Sequence, residues 1–326
     1  MRYALLVSPA ANRVYAASSV GLTVAELGVA ALGRLAATGV TEERIAGVPY
    51  VTFDAEEPDL ATLGLLSSAQ ALFAVEGGLL RPVELPRPDV LDDDLTTIPK
   101  YQGKTNEHFT RLLLNVTMLS SARTGRLRVL DPLCGRGTTL NQALVYGFDA
   151  AGIDADAKDM AAYATFLRTW LQRKRLKHTL DYSPVRENRQ VVARRLHATL
   201  PGTGQELTAY AADTVTGMRY FRRESVDLVV TDAPYGVQHG SRTGGDLRRG
   251  PVELLAAAVP AWTRALRPGG AMGISWNANV AGRDELADVL AGAGLTVRDE
   301  PPYAGFRHRV DQAIVRDLVV ATKDAG

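Results

Sequence analysis

Four apolar runs in this sequence each end in an aspartate: Leu127–Leu130 before Asp131, Ala150–Ile153 before Asp154, Thr208–Ala211 before Asp213, and Val226–Thr231 before Asp232. The first continues as Asp131-Pro132-Leu133-Cys134-Gly135-Arg136-Gly137-Thr138-Thr139. A glycine-containing turn between a strand and a helix lets a ligand approach the backbone closely, and the helix behind it offers free N–H groups to a carboxylate or phosphate. A purely structural turn is the alternative. The dinucleotide spacing Gly-x-Gly-x-x-Gly is absent. Asp154, in Gly152-Ile153-Asp154-Ala155-Asp156, has the position of an acid that holds ribose hydroxyls, or of an ordinary exposed strand end. Asp213 either accepts from an adenine amino group or caps the following helix.

The fourth run leads into Thr231-Asp232-Ala233-Pro234-Tyr235-Gly236. An amino group on an aromatic base is a weak nucleophile because its lone pair is delocalised into the ring. A carboxylate and a backbone carbonyl, here Asp232 and Ala233, can draw its two N–H groups and leave lone-pair density on nitrogen facing a methyl donor. Pro234 stiffens the turn. Tyr235 offers a flat face for a base taken out of its stack.

Elements must carry these residues to one place. From Lys100 onward, apolar strands alternate with helices: a helix at Phe109–Ser121, the four Asp-terminated strands, helices at Thr139–Tyr146 and Pro251–Leu266, and a strand at Ala271–Trp276. A helix at Asp284–Ala293 and late strands at Leu295–Val297 and Ala313–Ala321 complete an antiparallel edge. Such alternation predicts an α/β, doubly wound sheet with ligands at the carboxyl ends of its strands. Residues 1–98 read instead as a small α+β unit with its linker. Strands are expected at Tyr3–Val7 and Val48–Phe53, helices at Thr23–Ala37 and Leu60–Phe73, and a proline-rich acidic linker at Arg81–Pro99. The expected division is 1–98 and 99–326.

The net charge of +1 excludes a global electrostatic argument for a polyanionic partner. Its distribution does not: residues 1–98 hold 6 basic and 13 acidic side chains, and the remainder 31 and 23. Lys158–His197, between the second and third strands, holds ten basic and three acidic residues. It reads as a basic helix pair able to track phosphates through Arg173, Lys174 and Arg175, or as a solvated face. The loop Val237–Gly250 adds Arg242 and Arg248. Cys134 is the only cysteine, so no internal disulfide forms and a reducing cytoplasm fits. It lies in the glycine turn after the first of these strands and reads as structural, which argues against a cysteine-nucleophile mechanism at a pyrimidine carbon. No Cys/His cluster has metal-ligand spacing, so no metal is expected. Gly21–Val40 contains Glu26 and Arg34 and reads as a packed helix, not a membrane span. His308, between Arg307 and Arg309, reads as a surface residue.

The ordered set Asp-Pro-Leu-Cys-Gly-Arg-Gly-Thr-Thr, Gly-Ile-Asp-Ala-Asp, Ala-Ala-Asp and Thr-Asp-Ala-Pro-Tyr-Gly resembles the successive motifs of class I S-adenosylmethionine-dependent amino-methyltransferases. Lys104–Asn115, with Thr105, looks like their preceding cofactor-contact segment. The set is most similar to the tRNA guanine-N2 methyltransferases that often carry a THUMP domain; the resemblance covers about Tyr101–Thr322, and no THUMP domain is recognisable in residues 1–98. It implies a Rossmann-like sheet, S-adenosylmethionine as cofactor, and RNA, tRNA above all, as partner. Thr105, Asp131, Cys134, Gly135, Gly137 and Thr138 would line the cofactor, Asp154 its ribose and Asp213 its adenine. Asp232, Ala233, Pro234 and Tyr235 would receive the base. Ala233 departs from the family, many of whose members have a second proline there. DNA adenine-N6 or cytosine-N4 methylation, a protein amide substrate, a non-catalytic cofactor- or RNA-binding role and a nicotinamide oxidoreductase are the alternatives.

Overall fold

The computed structural model describes residues 1–8, 13–101, 103–233 and 250–326. The chain begins with β1 (Arg2–Val7), α1 (Arg13–Ala31), β2 (Thr38–Ile45), β3 (Val48–Asp54), α2 (Leu60–Leu65), β4 (Ala69–Glu76) and β5 (Leu79–Val83). These strands form one antiparallel sheet in the order β2-β3-β1-β4-β5. The expected helix over Leu60–Phe73 is therefore a one-and-a-half-turn helix followed by a strand. Asp59 caps the helix through Ala61 N and Thr62 N. Leu66 leaves helical backbone, and Leu72 and Ala74 then alternate into the core. The expected linker also starts late: Pro82 sits in β5, an edge strand, where a missing N–H costs no ladder bond on the solvent side.

Next come α3 (Asp94–Thr97), α4 (Glu107–Ser120), β6 (Arg128–Asp131), α5 (Thr138–Val145), β7 (Asp149–Asp154), α6 (Ala157–Arg173), β8 (Thr179–Glu187), β9 (Gln190–Leu200) and β10 (Gln205–Ala211). The chain ends with α7 (Thr214–Gly217), β11 (Val226–Asp232), α8 (Pro251–Ala265), β12 (Leu266–Asn277), α9 (Arg283–Gly292), β13 (Thr296–Val297), β14 (His308–Arg309) and β15 (Val315–Thr322). The second sheet runs β13-β15-β12-β11-β6-β7-β10-β9-β8, with β14 beside β15. Strands β12, β11, β6, β7 and β10 are parallel, and β15 inserts antiparallel between β12 and β13. This is a Rossmann-like α/β sheet with an antiparallel edge. The ends of β6, β7, β10 and β11 bring Asp131, Asp154, Asp213 and Asp232 to one edge.

The basic insertion is not a helix pair. One helix, α6, is followed by the β8–β9 hairpin, which extends the sheet beyond β10. Its two-residue turn, Asn188-Arg189, has both residues at positive φ (48° and 67°), the geometry that matches the twist of a hairpin. Leu196, Ala198 and Leu200 line the face toward the core and are buried.

α1 is long and apolar enough, by length and composition alone, to cross a membrane. Here its apolar positions serve two cores. Tyr15, Leu22, Ala25 and Val29 join the core of the second sheet, with Phe109, Leu112, Tyr303 and Phe306. Leu27 and Ala30 face the first sheet, with Leu5, Val51 and Phe53. A helix apolar on both sides belongs between layers. Its one acid, Glu26, is fully buried and accepts from Ser67 N (3.0 Å), Ser67 Oγ (2.6 Å) and Asn115 Nδ2 (2.7 Å). Burial pushes its carboxyl pKa up.

Candidate active site

Asp131 ends β6 and is buried. Its Oδ1 accepts from Leu133 N (3.0 Å) and Thr231 Oγ1 (2.8 Å). Desolvation by burial raises its pKa to about 7, and the neighbouring Asp154 adds to the rise. The turn that follows is closed by Gly137 N donating to Cys134 O (2.7 Å) and Cys134 N to Ile153 O (2.9 Å). Both glycines have positive φ: Gly135 at 49°, Gly137 at 79°. They differ in surroundings. A Cβ on Gly137 would lie 2.4 Å from the Tyr163 ring, whereas a Cβ on Gly135 would meet nothing within 4 Å. Gly137 is thus a packing glycine, and Gly135 leaves open space against the strand edge.

The two glycines are expected to answer differently to substitution. Gly137→Ala combines a left-handed backbone with a clash against a buried ring, costing about 1–2 kcal/mol plus about 1–3 kcal/mol. Gly135→Ala pays only the first of these. Denaturant midpoints of both variants check this, and equal losses would contradict the packing role of Gly137.

Cys134 is buried, and burial together with nearby carboxylates pushes its thiol pKa up. Its sulfur fills the place a Cβ on Gly152 would take, 2.8 Å away. A thiol so held is not a nucleophile. Asp154, at the end of β7, accepts from Gly135 N (2.7 Å) and Asp156 N (2.8 Å), and burial raises its pKa. It ties the glycine turn to the neighbouring strand. Thr138, the first residue of α5, shares a hydrogen bond with the Tyr101 hydroxyl (2.7 Å), and the Arg136 guanidinium lies 5.0 Å over the Tyr101 ring. Asp213 is exposed and caps α7 through Oδ1, accepting from Val215 N and Thr216 N at 3.0 Å. The capping alternative is therefore realised in the structure.

Asp232 ends β11. Oδ2 accepts from Thr105 Oγ1 (2.7 Å) and from Arg316 Nη2 (3.0 Å), and Oδ1 accepts from Ser275 Oγ. Thr105, expected beside the cofactor, touches the acid of the fourth motif. Ala233 is buried, and its N–H donates to Ser275 O (2.8 Å) on the paired strand β12. Backbone pairing to β12 fixes this residue where a second proline, lacking an N–H, would have none to give. Pro234, Tyr235, Arg242 and Arg248 lie outside the described residues.

Sequence reading missed Arg316 and Ser275. Arg316 is buried on β15, its guanidinium 4.4 Å from the Phe109 ring centroid. Burial lowers its pKa and the Asp232 carboxylate opposes that shift. Its signal was the charged pair Arg316-Asp317 in an otherwise largely apolar late strand. His308 is a correction. It is buried, not on the surface, with Nδ1 2.8 Å from Phe306 O and its ring edge-on to Tyr15 at 5.8 Å. Burial depresses its pKa. The two arginines on its flanks hid the register, which turns His308 inward and Arg309 outward. The wall behind Asp232 therefore combines Tyr15 from α1 with Phe109, His308 and Arg316.

The basic triplet lies far from this edge. α6 leaves the carboxyl end of β7 and runs back along the sheet for 17 residues, about 25 Å. Lys174 there is paired with Asp92 (2.7 Å) and Asp94 (2.6 Å), tying down the connection between the units.

Residues 101–249, just under half of the chain, match the model of a family described as UPF0020: RMKL-like, methyltransferase domain. No curated protein matches the chain. Among solved structures, the chain is similar to a TehB-like SAM-dependent methyltransferase from Corynebacterium glutamicum, at 16% identity over 62% of this chain and 83% of that one, with a TM-score of 0.35. It is similar to TrmN from Thermus thermophilus, at 16% identity over 84% of this chain and 56% of that one, with a TM-score of 0.40. A precorrin-6y C5,15-methyltransferase from Geobacter metallireducens is 14% identical over 73% and 98%, with a TM-score of 0.38.

Proposed function

We propose that this S-adenosylmethionine-dependent methyltransferase places its methyl group on the exocyclic amino nitrogen of a nucleic-acid base, guanine-N2 in RNA, with tRNA the favoured pool. The observation that carries the reading is Asp232, an acceptor whose orientation is set by Thr105, Ser275 and Arg316 at the carboxyl edge of the sheet. A carboxylate offers about four acceptor sites, so an incoming amino N–H meets a partner already fixed in direction. A preorganised acceptor costs no reorientation as charge develops on nitrogen. Tyr15, Phe109, His308 and Arg316 behind it are all buried, which keeps water from competing for the same carboxylate.

S-adenosylmethionine fits the opposite half of the edge. Gly135 leaves room where a side chain would intrude, Asp131 supplies a buried carboxylate for the ammonium of the methionine part, and Asp154 stands where ribose hydroxyls would bind. The bound cofactor supplies a methyl on a positively charged sulfur. The protein contributes alignment and the acceptor.

Asp131 gives this placement a pH signature. Its folded pKa of about 7 is above the ordinary carboxylate value, so the folded protein takes up a proton that the unfolded chain does not hold. This group's stabilising share is present at low pH and is lost as pH rises from about 4 to about 7. A cation beside Asp131 needs the ionised form. Cofactor affinity is therefore expected to rise about tenfold per pH unit below about 7 and then level off, with proton release visible by calorimetry in two buffers of different ionisation enthalpy. Affinity independent of pH between 5.5 and 7, roughly the window in which Asp131 titrates, would remove Asp131 from the ammonium site.

The substrate class is tested with radiolabelled S-adenosylmethionine and bulk tRNA, ribosomal RNA, genomic DNA and protein from a strain lacking the gene. Label in RNA is expected. Label in DNA would move the reading to adenine-N6 or cytosine-N4, and label in protein to a side-chain amide.

A further inference from the structure

Arg194 pairs with Ala211, the last rung of β9 against β10, and Ala211 pairs with Asp154 at the end of β7. Residues 185–193 of the hairpin therefore continue past the cofactor edge, paired only with each other. Four residues of β9 beyond that rung reach about 13 Å. This projecting arm and its base carry Arg186, Arg189, Arg194 and Arg195, all exposed. Among the described residues, none of the four is ion-paired to a carboxylate. The one acid at the tip, Glu187, is already neutralised by Arg219 (3.1 Å). The Arg194 guanidinium lies over Tyr182, 4.7 Å from the ring centroid, and the Tyr182 hydroxyl reaches Ala157 O (3.5 Å) at the start of α6. Four strand steps separate β9 from β11 in the sheet, about 19 Å at the usual spacing.

We propose that the β8–β9 hairpin is an RNA-backbone arm: its four arginines hold phosphates flanking the target nucleotide while the base reaches Asp232. The proposal rests on the RNA reading above. It reassigns the phosphate contacts expected at Arg173, Lys174 and Arg175, which lie at the other end of the strands, to residues on the cofactor side. Charge complementarity selects the occupant: planar, always-charged guanidiniums suit phosphate oxygens. An acidic protein segment would meet the same charges but has no use for the distance to the catalytic turn.

The test compares wild type with the variant Arg186→Gln, Arg189→Gln, Arg194→Gln, Arg195→Gln, using the RNA pool that accepts methyl label. Each lost contact to a single strand removes about 0.7 from the slope of log K against log salt, so the slope is expected to become shallower by about 2–3. KM for RNA is expected to rise at least about tenfold at 0.1 M salt, with kcat and cofactor affinity little changed. Arg44→Gln with Arg81→Gln, exposed positions on the first sheet, controls for general loss of charge. Should the fourfold variant lose cofactor binding, the pair Arg186→Gln, Arg189→Gln at the tip carries the test. An unchanged slope and KM in a wild type that methylates RNA would overturn the arm alone. So would a slope that moves only with Arg173→Gln and Arg175→Gln. A wild type that binds no RNA would overturn the arm together with the reading beneath it.

Discussion

Asp232→Asn is expected to cut methyl transfer by about 10²–10³-fold, the loss that follows removal of one preorganised polar partner of a transition state, while cofactor affinity stays within about threefold. The substitution keeps the shape at the end of β11 and removes the charge. Asp232 shares its edge with the glycine turn but makes its bonds to Thr105, Ser275 and Arg316, none of which contacts Asp131 or Asp154 in the bonds described. The two halves should separate in the data. There is a structural cost as well. The ion pair to Arg316 is largely buried, with side-chain exposures of 4% and 15%, and breaking such a pair by removing one partner costs about 3–5 kcal/mol. Activity must therefore be read at a temperature well below the variant's own unfolding midpoint. Loss of cofactor binding equal to the loss of turnover would mean that the acceptor and the cofactor site have been placed wrongly.

A chain comprising only residues 99–326 is expected not to fold. Tyr15, Leu22, Val29, Leu91 and Leu95 belong to the core around Phe109, Leu112, Tyr303 and Phe306. At about 1.5–3 kcal/mol for each buried large apolar side chain, their removal forfeits at most about 7–15 kcal/mol. That matches the whole stability of an ordinary domain, about 5–15 kcal/mol. Asn115 would also lose Glu26, the acceptor of its 2.7 Å bond, and Arg34 would no longer cap the end of α4 through Ser121 O (2.9 Å). Residues 1–98 thus contribute, through Tyr15, to the wall behind Asp232. Thermal denaturation by circular dichroism checks this. A cooperative transition in the 99–326 chain, with cofactor binding retained, would show the units to be separable.

What could be read in the sequence followed from strong local signals. Parallel strands buried on both faces are continuous apolar runs, so the aspartates ending β6, β7 and β11 stood out, and the glycine turn between β6 and α5 marked itself. The pairing that matters most for Asp232 did not, because Arg316 lies 84 residues away along the chain and meets it only when β15 inserts beside β12. The β8–β9 hairpin was hidden by its mixed polar strands and by a turn built from Asn188 and Arg189 without glycine. Its basic residues therefore read as a helix pair, where the structure has one helix and a hairpin. α1 was legible only in part, since the helix expected at Thr23–Ala37 runs over Arg13–Ala31, and not as a layer shared by two cores, since sequence shows that a helix is apolar all round and not what covers each side.

The central claim, transfer to a base amino nitrogen through Asp232, is tested most directly by mass spectrometry of nucleosides from RNA methylated in vitro with methyl-deuterated cofactor. N2-methylguanosine carrying the deuterated methyl is expected with the wild type, and its yield should collapse with Asp232→Asn while cofactor binding persists. Label on a ribose oxygen, a ring carbon or a ring nitrogen, or an undiminished yield from Asp232→Asn, would contradict it.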